Sequence, residues 1–566
     1  MRILGICHDV LICAAGLIED GRVVAAIPEE RLDRNKQSRV FPTRAIQACL
    51  DQAGVTMADI DEIAVAWNPG IDAETTPSGW VGARRWRAEH FSQIPIRFLQ
   101  SQGQRAADTI SMQTLWPDAP PITYVDHYLS HFGNAYYLSP YDECAVAVLD
   151  GRAERKTGML AQARGTELEI LQETDFPHSL GLLYGAVTQF LGFRPDSDEW
   201  KVMALASYAE ADNEYLEPIR RLVEVHDDGG FSVDLSYLAY YNYWDRRMYS
   251  DRFVETFGPP RTRSEPLTER HERIAAALQK VFEETIANIL TRLHESSGAD
   301  RLVVSGGCFM NSVFNGKITE LTPFKEVFIT SCPDDSGTSI GAALYLHGLR
   351  TGEHRPKAIT HNNWGPNYSD DECRAVVDRF KLSREKVDDP GKSAAEDLVA
   401  GKLVGWFQGP AEFGQRALGG RSILADPRRD DAKDLVNAAV KYRESFRPFA
   451  PAILAEKVAE WFECEPGAQV PFMERVYQFR PEKRDAVPAV VHIDGTGRLQ
   501  TVDAHVNPRY HRLISSFEEL TGVPIVLNTS FNLNGEPIVC APEDAVRTFY
   551  SCGLDVLYLG DIRITK

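Results

Sequence analysis

A pattern that occurs twice constrains this chain more than any other feature. Residues 1–7 (MRILGIC) form an apolar run of strand length, and AAGLIEDGRVVAAI reads as two further strands joined at Asp20-Gly21, a dipeptide suited to positive φ in a tight hairpin. A helix is expected near residues 43–53. The succession returns at residues 144–149, an apolar strand ending in Asp150-Gly151, then strands at 158–163 and 167–171 around Gly165-Thr166, then helical segments from Leu182. Two strand–hairpin–helix halves predict a duplicated α/β unit with a cleft between them.

Residues 270–294 carry apolar side chains at helical spacing and lead into a short strand, 301–305, that ends in Gly306-Gly307. A glycine pair between strand and helix lets backbone approach a ligand closely, and residues 327–349 repeat strand, loop and helix, so a nucleotide cleft is expected here. The stretch 351–367 has little apolar periodicity and two prolines, and a new strand follows at 402–407. The predicted domains are therefore 1–355 and 356–566.

Composition narrows the function. Against 61 Lys and Arg stand 81 Asp and Glu, a net charge of −20, which repels phosphate backbones and argues against nucleic acid as a partner. No run approaches the roughly 20 apolar residues of a membrane span, and the N-terminal apolar stretch is interrupted by His8 and Asp9, so neither membrane nor secretory signal is expected. The ten cysteines stand singly with no CxxC pair, which predicts reduced, buried thiols and a cytoplasmic location.

Asp126-His127-Tyr-Leu-Ser-His131 places two histidines at i and i+4, on one face if helical and close enough to share a metal. Tyr128 stands where a zincin needs Glu, which disfavours metalloprotease chemistry. Asp150 and Asp335, each expected at a strand end, would complete a two-His, two-Asp set suited to iron, manganese or zinc. Further on, Glu412-Phe-Gly-Gln-Arg416-Ala-Leu-Gly-Gly-Arg421 sets two arginines among glycines, and Lys441, Arg443 and Arg447 cluster nearby. Such clustering in an acidic chain predicts a pocket for a compact anion. HIDGTGR, ending at Arg498, and NTSFN, from Asn528 through Ser530 after an apolar strand, fit the same pocket.

Together these segments resemble the O-carbamoyltransferase family of antibiotic biosynthesis and nodulation, through EERLDRNK, DHYLSH, EWKVMALASY, SGGCFMN, CPDDSGTSIGAA, EFGQRALGGRSILADPR, FRPFAPAIL, HIDGTGRLQTV and NTSFNLNGEPIV. The resemblance implies an actin-like ATPase (ASKHA) N-terminal domain and a YrdC-like α/β C-terminal domain. It implies that carbamoyl phosphate and ATP give a carbamoyladenylate, whose carbamoyl group passes to a hydroxyl of a small acceptor. By motif position, His127, His131, Asp150 and Asp335 resemble the metal ligands, for iron(II) or another divalent cation, with Mg a further candidate. Lys201, Gly306, Gly307 and Asn311 resemble nucleotide-cleft residues, and Arg416, Lys441, Arg447, Arg498, Asn528 and Ser530 the carbamoyl phosphate pocket. His8 and Lys36 are carried over as catalytic residues, with Lys441, Arg498 and Ser530. In His8 the chain departs from the family pattern, because Val10-Leu-Ile separate the His8-Asp9 pair from the small-residue strand; Gln415 likewise replaces the usual proline of the anion loop.

Two aromatic-rich segments, 67–99 and 237–249, favour a large, partly apolar acceptor such as a macrolide over an aminoglycoside if they line its channel. Family habit allows a homodimer. The alternatives are a threonylcarbamoyl-type tRNA modifier, against which the charge speaks, and a non-catalytic carbamoyl phosphate or nucleotide sensor.

Overall fold

The computed structural model describes residues 1–8, 10–69, 71, 112–241, 246–354, 358–441, 444 and 446–566. Asp9, Arg443 and most of the two aromatic-rich segments considered for the acceptor, 70, 72–99 and 242–245, lie outside the described residues. The chain divides into one unit of Met1–Val24 with Gly54–Ala358 and a second of Ala25–Ala53 with Ile359–Lys566. The last of the three breaks lies between Ala358 and Ile359. Ala25–Ala53, expected in the N-terminal domain, groups with the C-terminal unit, because its side chains bond to loops there (see below).

The first unit is built on two five-stranded sheets of matching design. In one, β1 (Arg2–Cys7), β2 (Ala14–Glu19), β3 (Arg22–Pro28), β4 (Glu62–Val65) and β5 (Ile122–Tyr124) lie in the order β3-β2-β1-β4-β5, with the chain leaving the unit partway along β3. In the other, β6 (Glu143–Leu149), β7 (Lys156–Arg164), β8 (Glu167–Asp175), β9 (Arg301–Ser305) and β10 (Glu326–Ile329) lie in the order β8-β7-β6-β9-β10. In both, the first strand pairs antiparallel with the second and parallel with the fourth. The duplicated α/β architecture expected from the sequence is therefore present. Asp20 (φ 49°) and Gly21 (φ 73°) close the β2–β3 hairpin in the left-handed region, as that dipeptide predicts.

Helix α1 (Thr43–Ala53) belongs to the second unit, and α2 (His127–Tyr136), α3 (Glu269–Ser297) and α4 (Thr338–Thr351) to the first. Helices α2 and α4 touch backbone to backbone. A Cβ on Gly133 would lie 2.1 Å from the Gly341 carbonyl oxygen, and one on Gly341 would lie 1.9 Å from that of Ser130, so both positions require glycine. This close packing fixes the His-bearing helix against the helix that follows Asp335.

The second unit carries an eight-stranded mixed sheet. Its strands are β11 (Glu385–Lys386), β12 (Val404–Phe407), β13 (Arg421–Ala425), β14 (Ala450–Leu454), β15 (Gln500–Val502), β16 (Ile525–Ser530), β17 (Val556–Leu559) and β18 (Ile562–Thr565), in the order β11-β18-β17-β12-β13-β16-β14-β15. Strand β16 is central, pairing antiparallel with β13 (Ser422↔Ser530) and β14 (Ala450↔Asn528). A two-residue period sets Asn528 and Ser530 on the same face at its end. Trp406, Ile423, Phe517 and Val526 are among the apolar side chains of its core.

All ten cysteines are free, and all but Cys464 and Cys552 are buried. No helix among the described residues is long and apolar enough to cross a membrane.

Candidate functional site

In the first unit, His127, His131, Asp150 and Asp335 converge: one ligand atom from each lies within 4.8 Å of the others. The histidines occupy successive turns of α2, their rings 4.7 Å apart and nearly perpendicular. Asp126 caps that helix, accepting the N–H groups of Tyr128 (2.8 Å) and Leu129 (3.1 Å) and an ion pair from Lys156 Nζ (2.9 Å). Asp150 follows the end of β6, and Asp335 lies in the turn leading into α4.

Each imidazole is oriented through its other nitrogen. His127 Nδ1 donates to the Ala66 carbonyl at 3.0 Å, and His131 Nδ1 lies 3.0 Å from Ser305 Oγ. Both Nε2 atoms are buried without a hydrogen bond, facing carboxylate oxygens at 3.4 Å, Asp335 Oδ1 for His127 and Asp150 Oδ2 for His131. Buried, unbonded Nε2 atoms opposite carboxylates form a donor set that fits a divalent cation with mixed imidazole and oxygen preference. Burial works to raise the Asp150 carboxyl, but the attraction of the adjoining His127 and His131 rings outweighs burial and holds it well below the usual carboxylate range. Glu154, whose carboxylate accepts the backbone N–H of His127 (3.2 Å), is pushed up to about 7 by burial and the nearby Asp126.

Gly306 and Gly307 sit at this cluster. A Cβ on Gly306 (φ 96°) would lie 2.3 Å from the Leu149 carbonyl oxygen, and the Gly307 N–H donates to Asp150 Oδ1 at 2.9 Å. Asn311, also expected in the nucleotide cleft, exchanges amide hydrogen bonds with Gln279 on α3 and caps the turn at Phe314. Lys201 lies 3.3 Å from Asp198 and over the rings of Phe193 and Trp200. His8, buried, directly follows Cys7, whose thiol donates to the Asp335 carbonyl at 3.1 Å. Lys36 is exposed and belongs to the second unit, apart from His8 in sequence grouping.

Of the residues expected at the anion, Lys441, Asn528 and Ser530 lie around the end of β16. Lys441, buried in a short π-helical turn (Asn437–Lys441), directs Nζ to the Ser530 carbonyl (2.6 Å), Ser530 Oγ (3.2 Å) and Asn532 Oδ1 (2.7 Å). Asn528 donates to the Ala417 carbonyl, next to Arg416, and to Gln500 Oε1, each at 3.1 Å. Gln500, two residues after Arg498, in turn donates to the Leu418 carbonyl at 2.8 Å. Arg447 lies 3.3 Å from Glu444.

The 413–421 loop is held by groups that sequence reading left unassigned. Glu412, fully buried, accepts the N–H groups of Leu418 (2.8 Å), Gly420 (2.6 Å) and Arg421 (3.2 Å). Arg421, expected beside Arg416 at the anion, is instead fully buried: it stacks 3.6 Å from the centre of the Phe407 ring and donates to carbonyls including those of Gln408 and Gly409. Ser305, Glu412 and Gln500 lie inside the quoted motifs but took no role from the sequence; the partners of Ser305 and Gln500 are remote in the chain, whereas those of Glu412 follow within nine residues in a loop whose path the sequence does not show.

Two family profiles match, the carbamoyltransferase N-terminus over residues 2–344 and the carbamoyltransferase C-terminus over 395–566. The chain belongs to the carbamoyltransferase family. Among relatives of this family, nodulation protein NolNO of Sinorhizobium fredii is 37% identical over 98% of this chain and 78% of its own length. Nodulation protein U of Rhizobium tropici is 28% identical over 94% of this chain and 91% of its own length. An uncharacterized Synechocystis protein, sll1178, is 37% identical over 100% of this chain and 97% of its own. As a carbamoyltransferase, the chain is a carbamoyl-transferring enzyme, and both family halves carry one of the side-chain clusters described above.

Proposed function

We propose that this carbamoyltransferase moves the carbamoyl group of carbamoyl phosphate, through an ATP-derived carbamoyladenylate, to a hydroxyl of a secondary metabolite. The observation that carries this reading is the pairing of two different clusters within one family chain: the Lys441 ammonium on Ser530 and Asn532, and a two-His, two-Asp set in a duplicated α/β unit.

In this reading Arg416, Lys441, Arg447 and Arg498 hold the phosphate of carbamoyl phosphate, while Asn528 and Ser530 orient its carbamoyl end. Lys201, Gly306, Gly307 and Asn311 belong to the nucleotide cleft. His127, His131, Asp150 and Asp335 hold a divalent cation, iron(II) being the favoured one, which supplies Lewis-acid stabilisation of phosphate charge when bound. His8 takes the proton from the acceptor hydroxyl, and Lys36 assists at the transferring group. The acceptor is a macrolide or other glycosylated polyketide in preference to an aminoglycoside, and the enzyme works in the cytoplasm.

The test is mass spectrometry of the full chain incubated with ATP, carbamoyl phosphate and iron(II) and a panel of hydroxylated macrolides and aminoglycosides. Gain of one carbamoyl group on a single acceptor, dependent on both cosubstrates, is the expected result. A carbamoyladenylate without any modified acceptor overturns the acceptor class alone. Failure to form either product sinks the whole reading.

A further inference from the structure

The motif EERLDRNK contains two arginines to which the proposed chemistry gives no role. Both reach loops far away in the sequence. Arg31, 1% exposed, donates from Nη2 to the Gly414 carbonyl at 2.5 Å. Gly414 (φ 108°) stands two residues before Arg416. Arg34, itself in the left-handed region (φ 62°), forks onto two adjacent carbonyls, Nη1 to Ile538 (2.6 Å) and Nη2 to Pro537 (2.9 Å), with Nε 3.5 Å from Asp544.

From Arg34 a hydrogen-bond chain runs on to the pocket. The carbonyl of Glu536, directly before Pro537, accepts from Asn532 Nδ2 at 2.6 Å, and Asn532 Oδ1 accepts from Lys441 Nζ at 2.7 Å. The strap is itself anchored. Glu30 Oε2 accepts the Gln37 N–H (2.7 Å), the Arg34 N–H bonds the Glu30 carbonyl (3.1 Å), and Glu29 Oε2 accepts the N–H of Ala45 on α1 (2.7 Å).

We propose that residues 30–36 form a two-point clamp that holds both walls of the carbamoyl phosphate pocket, with Arg31 and Arg34 as positioning residues. The proposal rests on the reading of the second unit as the carbamoyl phosphate site. Arg31 holds the loop of Arg416, and Arg34 holds the loop whose Asn532 fixes Lys441. Arg34 needs a planar guanidinium because it satisfies two carbonyls of neighbouring residues at once, whereas Arg31 needs the reach of Nη2 to the Gly414 carbonyl, one atom beyond where a lysine side chain ends. A lysine carries the same charge but lacks the fork.

The clamp is tested in the full chain with R31K and R34K, measuring carbamoyladenylate formation by mass spectrometry, with thermal melting as control. Each variant is expected to raise the KM for carbamoyl phosphate about tenfold, with the KM for ATP and the saturated kcat within about twofold and melting little changed. In an N532A background, R34K adds nothing further, because Asn532 carries the route from the Arg34 loop to Lys441, whereas R31K still adds its full effect. An unchanged carbamoyl phosphate KM in both folded single variants overturns the clamp, as does a loss of all three parameters in step with melting. K441A separates the two ideas. If K441A abolishes carbamoyl phosphate use while R31K and R34K are silent, only the clamp fails; if folded K441A uses carbamoyl phosphate normally, the pocket itself is misassigned and the clamp falls with it.

Discussion

Ser305 Oγ lies 3.0 Å from His131 Nδ1, so the last residue of β9 orients a histidine carried on α2. The next residues but one extend the arrangement, because the Gly307 N–H holds Asp150 Oδ1. One strand end thus sets the geometry of a histidine and a carboxylate that come from different elements. Partners of this kind fix the ring's tautomer and direction before any cation arrives.

Replacing Ser305 with Ala should therefore leave the fold intact and weaken cation binding about 10- to 100-fold. Titration of the apo full chain with iron(II) or zinc, read by calorimetry, checks this. H131A should lose the high-affinity site altogether, and wild-type affinity in H131A would refute the ligand assignment.

Asp126 does two jobs at the start of α2: it caps two N–H groups and pairs with Lys156, whose ammonium also reaches Glu173 at 2.9 Å. D126A is expected to cost about 1–3 kcal/mol in urea unfolding, the sum of a lost cap and a weakened, largely buried ion pair. D126N, which keeps the capping oxygen, should recover most of the cap and little of the ion pair.

Glu412 offers one carboxylate oxygen to three buried N–H groups. Truncation to Ala strands all three, at about 1–3 kcal/mol each if no water enters, so E412A should unfold at much lower denaturant than wild type. E412Q keeps an acceptor oxygen and should fold, with a raised KM for carbamoyl phosphate as the loop of Arg416 loosens. Equal melting of E412A and wild type would show that the loop holds itself.

The pocket assignment predicts a split between the two cosubstrates. S530A and R498A should each abolish use of carbamoyl phosphate while ATP binding by calorimetry stays near wild type. Equal loss of both would place these residues elsewhere in the chemistry.

His492 gives a pH dependence with a definite sign. Burial, with Arg498 and Lys433 adding to it and Asp494 opposing, lowers its imidazole to about 4. An unfolded histidine takes its proton near pH 6.5. Between about pH 6.5 and 4 the unfolded chain thus binds a proton that the folded chain refuses, and stability falls as pH falls through that window. Urea midpoints at pH 7 and 5 should differ less in H492Q than in wild type.

Much of the site's local form was legible from residue order. The spacing of His127 and His131 gave a shared helix face, and the apolar runs before Asp150 and Asn528 gave strands with polar residues at their ends. Arg421 was misread, since a basic residue among glycines looks the same in sequence whether its guanidinium meets an anion or a ring of carbonyls. Asn311 was read by motif position as a nucleotide-cleft residue; that its amide is taken up by Gln279 depends on where α3 packs.

Periodicity, turn dipeptides and composition are local, so the sequence by itself determined the strands, the hairpins, the duplicated order of elements and the acidic character that argues against nucleic acid. Which remote groups meet was decided only by tertiary structure. Sheet order brings β9 beside β6 and so Ser305 and Gly307 to His131 and Asp150, and the grouping of Ala25–Ala53 with the C-terminal unit brings Arg31 and Arg34 to Gly414 and Pro537. Such meetings depend on how long-range strand pairing and helix packing close the chain, and no short window of residues carries that information.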